Sequence, residues 1–288
     1  MTEPADSAPR VVLITGCGSS AGIGFATARR LAGAGAHVWA TVRDLTKGAA
    51  LCDGLAVPEH LRVRLLDVRD ARSIAAVVDE IARTDGRVDA LVNNAGYGLL
   101  GGVEQVDVER ARAQFDTNLF GTLRVIQAVL PMMRARRAGR IVNVSTVFSA
   151  QYGPPGLGLY IASKAALDTV CEALAVEVAP WSIRVTNLQP GPVATELVRE
   201  TSNRFATASD PYSGLVDRVY EWVRSERAPA LQTPAEIAVA IESVLRDPDP
   251  PFYRQTGTSA RDFVARQWRD PSGAEVLAHF APFLPFPG

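Results

Sequence analysis

Cysteine, histidine and lysine are all scarce in this chain, and each scarcity excludes a class of protein. Three cysteines (Cys17, Cys52 and Cys171) among 288 residues cannot all pair, and their wide separation matches no metal-ligand spacing. They read as reduced thiols of a cytoplasmic protein rather than a disulfide framework. Three histidines (His37, His60 and His279) form no H-E-x-x-H run or other zinc spacing, which argues against a zinc hydrolase. A basic excess is missing too: 30 basic side chains face 31 acidic ones. Nucleic-acid and anionic-membrane surfaces need such an excess, so neither partner is expected. No run of about 18 uninterrupted apolar residues occurs, so no membrane span is expected. Met1–Arg10 lacks the basic start and apolar core of an export signal. Only two of the 30 basic residues are lysine, Lys47 and Lys164. Any lysine here stands against a strong bias toward arginine.

What the chain does have is apolar content, 47% of its residues, enough for the core of one large α/β domain over residues 1–288. Short, β-branched-rich runs recur at Val11–Thr15, His37–Val42, Arg62–Leu66, Asp89–Asn93, Arg140–Ser145, Ile183–Leu188 and, more weakly, Phe252–Thr256. Most lack apolar/polar alternation, which is how strands buried on both faces of a parallel sheet read. Between them, apolar residues fall at helical spacing: Ile23, Ala26 and Leu31, then Ile74, Val77, Val78 and Ile81, then Leu119, Leu123, Ile126 and Leu130. Regular alternation of strand and helix predicts a single doubly wound (Rossmann) domain, with a seven-stranded, mostly parallel sheet and helices on both faces. Residues 1–10 read as a polar tail, 191–232 as a partly helical insertion covering the substrate, and 260–288 as a C-terminal tail. Thr233-Pro234-Ala235-Glu236 carries the signature of a helix start, and that helix should run to about Arg246.

The first strand runs straight into Thr15-Gly16-Cys17-Gly18-Ser19-Ser20-Ala21-Gly22-Ile23-Gly24. A Gly-rich turn between a first strand and a first helix lets the backbone approach a pyrophosphate, with the helix N-terminus pointing at it. The same residues satisfy G-x-S-x-G, the serine-hydrolase elbow, with Ser20 as nucleophile and His279 later in the chain. That elbow follows a mid-sheet strand, however, and here only about ten residues precede the sheet.

The second strand ends in Arg43-Asp44. A carboxylate there would take both ribose hydroxyls of NAD, whereas the planar fork of Arg43 suits the 2′-phosphate of NADP. Asp67-Val68 closes the third strand, where a carboxylate can reach an adenine amino group, and Asn93-Asn94-Ala95-Gly96 closes the fourth, where polar groups brace a turn or line a cleft.

The strongest local signal is Tyr160-Ile161-Ala162-Ser163-Lys164. On a helix the tyrosine and lysine project from one face, a turn apart. Composition alone predicts about 0.04 such ordered pairs in this chain. An ammonium beside a phenol stabilises the phenolate, and a three-unit fall in its pKa needs about 4 kcal/mol of differential interaction. Lysine suits that task as a compact point charge with three donors, which can also hold ribose hydroxyls. Ser145 ends the fifth strand and can donate to a carbonyl that Tyr160 approaches. Asn118 falls inside the helical stretch Phe115–Pro131, where asparagine is a poor helix former and often holds water or kinks the helix.

Taken together, Gly16–Gly24, Asp67, Asn94-Ala95-Gly96, Asn118, Ser145, Tyr160, Lys164 and Pro190-Gly191-Pro192-Val193-Ala194-Thr195 resemble the short-chain dehydrogenase/reductase family from Val11 to about Thr195. Val38–Leu45, Gly96–Gly101 and Asp270–Gly273 look like its 17-beta-hydroxysteroid dehydrogenase type 1 and retinol dehydrogenase branch, which usually prefers NADP(H). Two departures stand out: the first turn has five residues between Gly16 and Gly22 where the family usually has fewer, and Gly153-Pro154-Pro155-Gly156 lengthens the Ser145-to-Tyr160 interval.

The resemblance implies a carbonyl–alcohol oxidoreductase, with Tyr160 as acid/base, Lys164 lowering its pKa, Ser145 polarising the carbonyl and Asn118 holding a relay water. It implies cofactor contacts from Gly16, Ser19, Ser20, Gly22, Ile23, Gly24, Arg43, Asp67, Val68, Asn94, Ala95, Gly96, Tyr160, Lys164, Pro190, Gly191, Val193 and Thr195. NADP(H) is the expected carrier, with NAD(H) as the alternative. Tyr97, Leu99, Leu100, Val147, Phe148, Tyr152 and Leu157 are the expected apolar pocket wall, which suits a ring-bearing or lipid-like substrate. A homodimer through the helices bearing Asn118 and Tyr160 is also implied, with a tetramer as the larger alternative. A serine hydrolase built on Ser20 and a non-catalytic NADPH-sensing protein are the competing expectations.

Overall fold

In the computed structural model, which describes residues 11–48, 53, 60–150, 153–195, 212, 214–223, 225, 230–267 and 278, all seven apolar runs become strands of one sheet. They are β1 (Val11–Ile14), β2 (His37–Val42), β3 (Leu61–Leu65), β4 (Ala90–Asn93), β5 (Gly139–Val144), β6 (Ile183–Gln189) and β7 (Tyr253–Gln255). The order is β3-β2-β1-β4-β5-β6-β7 and every pairing is parallel, so the sheet expected to be mostly parallel is parallel throughout. Strand order reverses between β1 and β4. In such sheets the crevice beyond the C-terminal strand ends at that point is the ligand site.

Helices α1 (Ile23–Gly33) and α8 (Pro234–Arg246) cover one face, burying Leu31, Ile237 and Ile241 against Val12, Ile14 and Val142. The opposite face is covered by α3 (Ala71–Thr84), α5 (Thr122–Arg136) and α6 (Gly158–Val178), around Leu13, Trp39, Leu91 and Ile141. Each fully buried aliphatic side chain contributes roughly 1.5–3 kcal/mol. The start signal at Thr233 is a complete capping box: Thr233 Oγ1 accepts from Glu236 N–H, and Glu236 Oε2 accepts from Thr233 N–H.

The helical stretch around Asn118 is longer than its sequence pattern. It begins as α4 (Val108–Phe115), passes through a π turn over Asp116–Gly121 and continues as α5 beyond Pro131 to Arg136. Proline therefore does not end this helix. The irregularity falls at Asn118, as the low helix propensity there led us to expect. Gly121 lets the π turn lie on β3's exit, since a Cβ there would come within 2.6 Å of Val68.

A short helix, α2 (Leu45–Gly48), follows β2; within the insertion α7 (Leu215–Val223) is helical, and residues 260–267 belong to α9 (Thr258–Gln267). The 1–10 tail, Cys52, Tyr152, residues 196–211, Trp268, Asp270–Gly273, His279 and Phe280 lie outside the described residues.

Candidate active site

The first turn is built so that its backbone can approach a ligand. Gly16 has φ +74°, and a Cβ on it would sit 2.7 Å from Ala95 Cα. A Cβ on Gly24 would lie 2.5 Å from Asn94 Nδ2 and 2.7 Å from the Gly16 carbonyl. Asn94 and Ala95 fasten this turn to the end of β4. Asn94 Nδ2 donates to the carbonyls of Thr15 and Gly16, while the Asn94 and Ala95 N–H groups donate to Thr15 Oγ1. Helices α3, α4 and α8 are capped by the side chains of Asp70, Asp107 and Thr233, but α1 begins after Gly22 with no side-chain cap. Its first N–H groups, from Ile23 and Gly24 onward, therefore face the crevice uncapped. Ser19 Oγ is buried and has no partner among the described residues. Ser20 is exposed, and no hydrogen bond joins it to a histidine among the described residues.

At the end of β2, Arg43 is exposed and forms no ion pair among the described residues. The Asp44 carboxylate is taken by Thr46, through both its N–H and its hydroxyl, so Asp44 starts a turn instead of pairing with Arg43. Asp67, the expected adenine contact, is paired with Arg69. Its carboxylate accepts from the Arg69 main-chain N–H and side-chain guanidinium, with Arg69 Nη2 at 2.6 Å from Oδ2. That hydrogen bonding holds Asp67 below the usual carboxylate range. Burial raises the Tyr97 phenol, expected on the substrate wall, against the charges of Arg69 and Arg43.

Ser145 follows β5 directly, buried at 3% exposure, with its Oγ 3.2 Å from Ser149 Oγ. Lys164 is buried on α6 and donates from Nζ to the Val144 carbonyl at 2.8 Å, one residue before Ser145. Burial pushes its amine down to about 8. A Cβ on Gly96 would be 3.5 Å from Lys164 Nζ and 3.0 Å from Asn118 Oδ1, so the turn after β4, the π turn and α6 meet at one point. Tyr160 lies one turn earlier on α6. Its phenol is pushed up, not down: burial dominates, and any negative charge on Asp168 acts in the same direction. The Lys164 ammonium, expected to lower it, donates to the Val144 carbonyl.

The Asn118 side chain makes three hydrogen bonds. Its Nδ2 donates to the Tyr97 carbonyl and to Ser163 Oγ, and its Oδ1 accepts from Tyr97 N–H. Ser163 in turn donates to the Tyr160 carbonyl at 2.6 Å.

Beyond β6, Pro190–Thr195 crosses the same end of the sheet. The Pro190 carbonyl accepts from Val147 N–H, Gly191 is buried, Val193 bridges Gln232, and Thr195 turns back on Val193. Leu99, Leu100, Val147 and Phe148, expected on the pocket wall, are all buried. Phe148 packs edge-on to Phe263 at 5.6 Å and tilts against Trp222 of α7, so Val147 and Phe148 belong to an apolar cluster that joins the segment after β5 to α7 and α9. Sequence reasoning missed Arg69, Ser149, Asp168 and Gln189 and did not see the bracing role of Thr15. Of these, only Asp168 had a local signal: a carboxylate one helical turn past Lys164, on a helix whose neighbouring positions are apolar.

Residues 10–205 match the family model described as short chain dehydrogenase. Over 280 residues the chain is 38% identical to retinol dehydrogenase 8 of Bos taurus, spanning 93% of this chain and 88% of that protein. It is 35% identical to human 17-beta-hydroxysteroid dehydrogenase type 1, spanning 93% and 83% respectively. A solved short-chain dehydrogenase from Streptomyces avermitilis superposes with a TM-score of 0.79 at 32% identity, covering 96% of this chain and 97% of that one. The seven-stranded parallel sheet, the glycine turn and this similarity along nearly the whole chain establish the protein as a member of the short-chain dehydrogenase family of oxidoreductases, acting on hydroxyl or carbonyl groups with a nicotinamide cofactor.

Proposed function

We propose that the protein is an NADPH-dependent reductase of apolar, ring-bearing ketones or aldehydes, with Tyr160 as the proton donor. The observation that carries this reading is the junction at the end of β5, where Ser145, the Lys164 ammonium and the α6 turn bearing Tyr160 are tied together through the Val144 carbonyl. Burial raises the Tyr160 phenol, so it is protonated at neutral pH but a weaker acid, and its proton transfer depends on stabilisation of the phenolate by a neighbouring cation. Ser145 and Tyr160 would share the developing negative charge on the substrate oxygen, and Lys164 would stabilise the phenolate left behind.

The residues fit a dinucleotide. An uncapped α1, the orphaned Ser19 hydroxyl and a turn that tolerates no Cβ at Gly16 or Gly24 suit a pyrophosphate. Arg43, without an ion pair among the described residues, suits a 2′-phosphate and favours NADP(H) over NAD(H). Val68, Asn94, Ala95 and Gly96 would flank the adenosine and ribose, and Pro190, Gly191, Val193 and Thr195 the nicotinamide. When bound, the nicotinamide supplies the hydride.

The apolar cluster around Phe148, Trp222 and Phe263 supports a hydrophobic substrate, as do the substrate classes in the names of the retinol and steroid dehydrogenases it resembles. Exposed Phe120 in the π turn, with Val170 and Val176 on α6, would form the homodimer interface. No described helix is long and apolar enough to cross a membrane. Free, buried Cys17 and Cys171 agree with a reducing, cytoplasmic setting.

The test is a panel of steroid, retinoid and polycyclic aromatic carbonyls assayed with NADPH and NADH, alongside Tyr160→Phe. Turnover with NADPH that collapses in Y160F while NADPH binding persists supports the reading. Nucleotide binding with no turnover on any carbonyl would leave a sensor in its place.

A further inference from the structure

Beneath Ser145 lies a polar cluster with no role in the reading above. Asp168 follows Lys164 by one turn of α6 and is 3% exposed. Ser149 Oγ lies 2.6 Å from Asp168 Oδ2 and also 2.6 Å from the Thr146 carbonyl, with Ser145 Oγ at 3.2 Å. Gln189 Nε2 reaches Asp168 Oδ2 at 3.1 Å and Ser149 Oγ at 3.3 Å. Gln255 Nε2 donates to Gln189 Oε1 at 2.7 Å, which turns the Gln189 amide so that its N–H faces the carboxyl.

Proton counting makes this cluster informative. A serine hydroxyl has one proton. The Thr146 carbonyl can only accept, and an ionised Asp168 could also only accept. With both at 2.6 Å, one contact would then set two lone pairs against each other. A second proton removes the conflict, and Asp168 is the group that can carry it. Two further features agree. Asp168 Oδ1 has no partner among the described residues, a heavy cost for a carboxylate oxygen and a smaller one for the carbonyl oxygen of a neutral acid. No ion pair joins Asp168 to Lys164 among the described residues, although both are buried one turn apart and the ammonium points to Val144.

We propose that Asp168 is a neutral carboxylic acid that donates its proton to Ser149 and thereby sets the direction of the hydrogen bonds reaching Ser145. This rests on the ketone-reductase reading, because it assigns Ser145 the task of donating to a carbonyl. While Asp168 supplies a proton, Ser149 keeps its own. Ser149 then donates to the Thr146 carbonyl and accepts from Asp168 and Gln189, so it needs no donor from Ser145, whose proton stays available for the substrate oxygen. If Asp168 is ionised, the Ser149 hydroxyl donates to it, and the Ser149 oxygen draws the Ser145 hydroxyl toward itself and away from the substrate. Asp168 is thus a positioning residue that acts through Ser149.

The titratable neighbours on α6 are Tyr160, Lys164 and Cys171, and from β7 the Tyr253 phenol, which donates to Glu172, also feels the charge of Asp168. Burial raises the Asp168 carboxyl, against the opposing pull of Ser149, Ser145, Gln189 and Lys164.

The experiment pairs infrared spectroscopy with kinetics. At neutral pH the full-length protein should show the C=O stretch of a protonated carboxylic acid, and Asp168→Asn should remove it. Ser149→Ala should shift that band and lower kcat on a steroid ketone by about tenfold, with the KM for NADPH unchanged. If D168N does not fold, aspartate carrying ¹³C at its carboxyl, in wild-type and S149A protein, identifies the band by isotope shift. A spectrum without this band means Asp168 is ionised and overturns the proposal. A band combined with wild-type turnover in S149A also overturns it, by cutting the link to Ser145. Should the wild-type protein reduce no carbonyl, the reductase reading fails, and the band alone still decides the state of Asp168.

Discussion

The ammonium of Lys164 donates to the main-chain carbonyl of Val144 at 2.8 Å, immediately before Ser145. This contact crosses from α6 to the end of β5, so a single side chain fixes the distance between the helix that carries Tyr160 and the strand that presents Ser145. It also explains the choice of lysine in a chain otherwise committed to arginine. A compact amine at 5% exposure has three donors, of which one is taken by Val144 and two stay available for a ligand, whereas a buried guanidinium needs partners for a planar fork of five N–H groups.

Because burial pushes the Lys164 amine down to about 8, its charge should be lost just above neutrality. Reductive kcat/KM should therefore fall as pH rises through about 8, since the neutral amine no longer stabilises the Tyr160 phenolate. The stability effect has the opposite sign. The folded state prefers the neutral amine, so this group's penalty is fully present below pH 8 and is relieved between about 8 and the ordinary lysine value of 10.5. A pH–rate profile that stays flat to about pH 10 would remove Lys164 from the mechanism.

Arg43 should decide between the two nicotinamide cofactors. Asp44 is occupied by Thr46, so the guanidinium keeps its donors for a ligand. A charge-assisted contact to a 2′-phosphate contributes about 1.5–3 kcal/mol. Arg43→Ala should accordingly lower kcat/KM for NADPH by about 10- to 150-fold while changing that for NADH less than threefold, as measured by parallel steady-state assays. An unchanged ratio would assign the phosphate to another residue.

The sheet and the candidate catalytic residues were legible because each rests on a local pattern. Doubly buried strands read as short apolar runs, the Thr233 cap lies in four consecutive residues, and Tyr160 and Lys164 share a face by helical spacing alone. Asn118 is an intermediate case: its poor propensity marked an irregularity, but only the structure makes it a π turn whose amide is spent on Tyr97 and Ser163. What could not be read depends on register between distant strands. Asn93, Asn143 and Asn187 stand opposite one another on β4, β5 and β6 and link their side chains in a row. Gln189 meets Gln255 the same way across β6 and β7, and that pairing aims an N–H at Asp168. No local window contains both members of such a pair.

The turn after β1 offers a steric prediction that does not depend on substrate. Gly24→Ala places a methyl group 2.5 Å from Asn94 Nδ2 and 2.7 Å from the Gly16 carbonyl. Backbone cannot yield cheaply there, so the variant should lose about 1–3 kcal/mol of stability, seen as a lower Tm. It should also lose NADPH binding, because the displaced Asn94 no longer holds the Thr15 and Gly16 carbonyls. Gly33→Ala on the same helix meets nothing within 4 Å and serves as the control, with its Tm expected at or slightly above wild type. Equal Tm values for the two variants would show that the turn relaxes more freely than its packing implies.

Asp168 provides a last prediction, in stability as a function of pH. Burial raises its carboxyl in the folded protein above the unfolded value, so the folded state binds the proton more tightly. Its contribution is then fully present below the ordinary carboxylate pKa of about 4 and is lost as pH rises from there through the raised folded value. Asp168→Asn cannot ionise and has no such loss. The difference in Tm between D168N and wild type should therefore shift in favour of the variant on going from about pH 4 to about pH 8, whichever protein is the more stable at the acid end. Working with the difference cancels the other titrating groups, which both proteins share. A Tm difference that stays constant across this range, or moves in favour of wild type, would mean that the folded protein does not hold the Asp168 proton more tightly than the unfolded chain.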